Sequence, residues 1–79
     1  MEYRATIQKV VPEGRHGPFA VALAYEDGRN ITFSLDKPVW QGESLPEPGT
    51  IVMLSQLSKK WAGWRASSAR LFQPADEQQ

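Results

Sequence analysis

A small all-β barrel of five strands is the fold class this sequence predicts. Three observations carry it. Apolar residues recur at every second position in several short stretches, as strands with one buried face require. Glycine- and proline-bearing turns separate those stretches. The longest connection holds Pro38, Pro46 and Pro48, which forbid a long helix there. With 79 residues, the chain has room for one domain and a thin core.

The strands are expected in chain order as follows. In YRATIQKVV, residues 3–11, Tyr3, Ala5 and Ile7 alternate with Arg4, Thr6 and Gln8. In PFAVALAYE, residues 18–26, the larger set is Phe19, Val21, Leu23 and Tyr25, which is expected to face the core and leave Ala20, Ala22 and Ala24 outside. In RNITFSL, residues 29–35, Ile31, Phe33 and Leu35 form the inward set, with Thr32 and Ser34 outward. TIVMLSQL, residues 50–57, is apolar on both faces at first, as a central or doubly covered strand would be. The fifth stretch, WRASSARLF over residues 64–72, alternates more weakly.

The turns order these strands. Asp27-Gly28 is a strong hairpin signal between the second and third, because glycine accepts positive φ. The first connection, Pro12 to Gly17, holds two glycines and a proline, and the last, near Ser58 to Gly63, joins the fourth and fifth strands. The longest connection, DKPVWQGESLPEPG, follows the third strand and leaves space for one short helical turn near Pro38 to Gln41, with Trp40 plugging the barrel end. An SH3-like barrel places its long loop after the first strand, whereas an OB-fold places its long connection after the third. The placement here favours the OB arrangement: an all-β, small five-stranded antiparallel OB-fold-like barrel over residues 1–73, followed by a flexible polar tail over 74–79.

Composition narrows the function classes. The chain has no cysteine, so disulfides and thiolate metal sites are excluded, as a reducing compartment allows. No apolar run approaches the ~20 residues needed to span a bilayer, and MEYRATIQ lacks the pattern of a signal peptide. A soluble, cytoplasmic protein without membrane partners is expected. Formal net charge is zero, but residues 48–75 hold Lys59, Lys60, Arg65 and Arg70 with no acidic residue. Catalysis is not expected. His16 is the only histidine, no serine sits in a G-x-S-x-G context, and the carboxylates show no metal-binding spacing. No cofactor or metal is implied.

Pro48-Gly49-Thr50-Ile51-Val52-Met53, then Gly63-Trp64-Arg65-Ala66 and Ala69-Arg70-Leu71, resemble the glycine-led fourth strand and alanine-rich fifth strand of cold-shock domains. The resemblance implies a five-stranded barrel that binds single-stranded nucleic acid. Cold-shock domains stack bases on aromatics of the second and third strands. Here the outward positions read as Ala20, Ala22, Thr32 and Ser34, while Phe19 and Phe33 are expected in the core, so that stacking platform is not carried over.

The loops remain. OB-folds also bind through the connections after the first and fourth strands, which flank one face. These hold Arg15 and His16 on the first and Lys59, Lys60, Trp61 and Arg65 on or beside the second, with Arg4 and Lys9 as extensions. Cations pair with phosphates, and an exposed tryptophan stacks on a base without sequence readout. The expected partner is therefore RNA or single-stranded DNA, within a ribonucleoprotein or transcription assembly. The alternative is a protein–protein interaction adaptor that docks through its tryptophan-containing loops, since exposed tryptophan beside arginine is also hot-spot composition. Plainer roles stand beside both: Lys59 and Lys60 as lysines that discourage edge pairing, and Trp64 as a core residue.

Overall fold

The computed structural model describes residues 1–78. Five strands, β1 (Glu2–Val11), β2 (Phe19–Ala24), β3 (Asn30–Ser34), β4 (Ile51–Lys60) and β5 (Gly63–Leu71), close into a barrel in the order β1-β2-β3-β5-β4. Closure depends on β1, which spans ten residues. Its first half pairs with β4 from Glu2↔Ser55 to Thr6↔Ile51, and its second half pairs with β2 from Ala5↔Ala24 to Val11↔Phe19. A register shift between Ile7 and Lys9 bends the strand between its two partners.

Four pairings are antiparallel, and the fifth, β3 with β5, is parallel over Ile31↔Trp64, Thr32↔Arg65 and Phe33↔Ala66. Chain direction requires this. Each strand runs against the one before it, so the third and fifth run the same way and meet as parallel neighbours. A parallel pair needs a long crossover, which the chain supplies between β3 and β4.

The interior corrects the expected facing of β2. Ala20, Ala22 and Ala24 are buried, whereas Phe19 and Val21 are half-buried and Leu23 and Tyr25 are exposed. Register explains the inversion. Ala20 lies opposite Phe33 and Ala22 opposite Ile31, both fully buried. On the other side Ala22 faces Ile7, and Ala66 of β5 pairs with Phe33. A narrow barrel fills its interior with alternating large and small side chains. Ile7, Ile31, Phe33, Val52 and Leu54 supply the volume, and the alanines give them room.

The weak alternation of the fifth stretch also has a local cause. Gln56 adopts φ 57, and the β4–β5 ladder skips from Ser55↔Ser68 to Leu57↔Ala66. The irregularity resets the facing, so Ala66 and Ala69, three residues apart, are both buried. Beyond it, β4 and β5 continue as a ribbon to Lys60↔Gly63. The stretch read as a loop is thus mostly strand, with a turn at Trp61 and Ala62.

Trp40 is 3% exposed and packs against Phe33 with ring centroids 6.0 Å apart. Its indole N–H donates to the Ser44 carbonyl at 2.9 Å. A turn brings it there, closed by the Trp40 N–H on the Asp36 carbonyl at 3.1 Å. The segment read as a polar tail carries a 3-10 helix over Pro74–Gln78. Asp76 pins it, bonding the Arg70 guanidinium at 2.9 and 3.0 Å and the Gln73 N–H at 2.7 Å. Among the described residues, no helix is long and apolar enough to cross a membrane.

Candidate functional site

Because the alanines of β2 turn inward, Phe19 and Val21 stand on the outer face of the barrel. Phe19 is opposite Ser34, Val21 is opposite Thr32, and Thr32 sits beside Arg65 of β5. Directly paired residues share a face. A groove of about 220 Å³ opens over this surface. Phe19, Thr32, Ser34 and Arg65 line it from the strands, and Arg15 and His16 line it from the first connection with Gly17 and Pro18.

Glycine shapes that connection. A Cβ at Gly14 would lie 2.7 Å from Cδ1 of Phe19 and 2.5 Å from the Gly17 carbonyl oxygen, so only glycine lets the loop press against the ring. Gly17 has φ 101, a conformation that side chains disfavour, and its N–H donates to the Gly14 carbonyl at 3.0 Å. The Leu35 N–H then holds the Pro18 carbonyl at 2.9 Å, tying the loop to the end of β3. Arg15 and His16 are thereby held exposed at the rim.

The two hydroxyls on β3 are already oriented. Thr32 Oγ1 donates to the Trp64 carbonyl at 3.3 Å. Ser34 Oγ accepts the Asp36 N–H at 3.1 Å.

Of the candidate residues, Arg15, His16 and Arg65 meet in this one groove. Lys60 lies two residues beyond Ser58, the partner of Arg65, and so shares its side of the ribbon. Trp61 is fully exposed at the ribbon tip. Lys59 is on the other side: its Nζ lies 5.4 Å from the Trp64 ring, which the Arg29 guanidinium also covers at 4.6 Å. Trp64 is half-buried and packs against the core, so it anchors the ribbon and is not part of the groove. Lys9, opposite Val21, borders the β2 side of the surface. Arg4 stands elsewhere, stacked on Phe72 at 4.4 Å and Tyr25 at 5.4 Å.

Phe19, Thr32 and Ser34 are the lining residues that the sequence reading missed. Alternation alone groups Phe19 with the larger, inward set of β2. The signal against that was the alanine at every second position beside a strand carrying Ile31 and Phe33 inward.

The ion pairs lie away from the groove. Arg29 holds Asp27 at 2.6 Å, and Arg70 bridges Glu2 at 2.8 Å and Asp76 at 2.9 Å. The Arg70 guanidinium, followed by the Gln73 N–H, holds the Asp76 carboxyl down to about 2, and Arg70 also lowers Glu2. The backbone N–H of Arg29 leads in lowering Asp27. Among the described residues, Arg15, Lys59, Lys60 and Arg65 make no salt bridge. Nor does any group of three or more His, Asp or Glu residues there come close enough to hold a metal ion. No family model matches this chain, and no curated protein and no solved structure matches it either.

Proposed function

We propose that this protein is a non-catalytic module that binds RNA or single-stranded DNA across the outer face of β2, β3 and β5. One observation carries the reading: an outward aromatic, Phe19, shares a groove with Arg15 and Arg65, two cations without ion-pair partners among the described residues. Stacking on Phe19 contributes about 1–3 kcal/mol per base and tolerates any sequence. Arg15, Arg65 and Lys60 take phosphates, and His16 adds a donor at the rim. Trp61 offers a second stacking surface at the ribbon tip. Lys59 contributes through the local potential, since it faces Trp64. The zero net charge makes binding weak on its own, which fits work inside a ribonucleoprotein or transcription assembly.

The test is a titration with oligo-U and oligo-dT, followed by tryptophan emission, at about 50 mM and about 200 mM salt. With three phosphate contacts at about 0.7 ions released each, affinity drops roughly 20-fold over that range. No response at either salt defeats the reading and favours the adaptor alternative, in which the fully exposed Trp61 docks on a protein and binding resists salt.

A further inference from the structure

We propose that the groove selects RNA over DNA, with Thr32 and Ser34 reading the ribose 2′-hydroxyl; this rests on the single-strand reading above. The outer face is organised in lanes. β2 presents Phe19 and Val21, β3 presents Thr32 and Ser34, and β5 presents Arg65. Adjacent strands lie about 4.8 Å apart, so the stacking lane and the cation lane are separated by about 10 Å. A nucleotide lying across the lanes, with its base on Phe19 and its phosphate at Arg65, sets its sugar over β3.

The hydroxyls on β3 have complementary capacities left. Thr32 commits its proton to the Trp64 carbonyl at 3.3 Å, so it offers a ligand its lone pairs. Ser34 accepts the Asp36 N–H at 3.1 Å and keeps its own proton to give. One acceptor and one donor therefore stand side by side where the sugar passes. A 2′-hydroxyl is both donor and acceptor and satisfies either, whereas deoxyribose satisfies neither. Both side chains are half-buried. A deoxyribose seated over them displaces their water without replacing its hydrogen bonds, which is the costly case.

The experiment compares oligo-U with oligo-dU of about eight nucleotides, within the usual site size of one such barrel. Base and charge are identical, and only the 2′-hydroxyl differs. The wild type is expected to bind oligo-U about threefold to tenfold more tightly, the usual range for one net hydrogen bond. The ratio should fall toward one in Ser34→Ala or in the near-isosteric Thr32→Val. Equal affinities in the wild type, or tighter binding of oligo-dU, overturn the inference. So does a wild-type preference that survives in both variants. If neither oligonucleotide binds, the single-strand reading itself fails, an outcome distinct from equal binding.

Discussion

β2 and β3 are paired neighbours that distribute their bulk in opposite ways. β3 sends Ile31 and Phe33 inward and keeps Thr32 and Ser34 outside, whereas β2 sends Ala20 and Ala22 inward and keeps Phe19 and Val21 outside. Each strand read alone follows the rule that larger apolar residues go inside. Together they cannot, because the volume between them is finite and Phe33 and Ile31 already occupy it. The strand with the smaller inward set yields. Its displaced bulk becomes an apolar outer surface beside Arg65, and that surface is the candidate site.

Substitutions on either side of this pair test it. The largest effect is expected from Phe33→Ala, which empties the position that Ala20 and Ala66 flank. It should lower unfolding free energy by about 3–5 kcal/mol in a denaturant titration. Ala22→Leu adds volume against Ile7 and Ile31 and should cost about 1–3 kcal/mol by the same measurement. A variant as stable as the wild type would show that the inner side of β2 has space, and the contrast would be lost. Phe19→Ala removes bulk from the outer side. It should weaken oligo-U binding roughly tenfold, one stacked base, and unchanged affinity would separate the aromatic from the site.

The smallest effect concerns the far end of β5, where Arg70 bridges Glu2 and Asp76. Asp76 has its ordinary value of 3.8 when unfolded and about 2 when folded. Its stabilising contribution is therefore complete above about pH 4 and disappears as the pH falls through about 2. Asp76→Asn should lower the melting temperature at neutral pH and flatten the loss of stability between those limits. An unchanged acid limb would place the sensitivity in another carboxylate. This end of β5 also shows that a basic stretch of sequence is not all available charge: Arg70 belongs to the acid-free run but is paired, while Arg65 in the same strand makes no salt bridge among the described residues.

Several features were legible because they are local. Asp27-Gly28 marks its hairpin, the period-two stretches mark their strands, and the length of the connection after the third strand points to the OB arrangement. Arg15 and His16 were identifiable as rim residues because they lie on the first connection, which flanks the binding face, whereas Arg65 reaches the groove from β5, beside Thr32. Phe19 and Trp64 were harder. Phe19 depends on what faces Ala20, and Trp64 depends on Arg29 of the β2–β3 connection and Lys59 of β4, which cover it.

The sequence by itself determined the five strands, their turns, the prohibition of a long helix by Pro38, Pro46 and Pro48, and the concentration of positive charge toward the fifth strand. These follow from backbone preferences and side-chain period, which act over a few residues. The tertiary structure decided which side of β2 is buried, where the β4–β5 ladder is interrupted at Gln56, and which cations form ion pairs. Each of those depends on a partner distant in the chain, since interior volume and ion pairing are shared across strands.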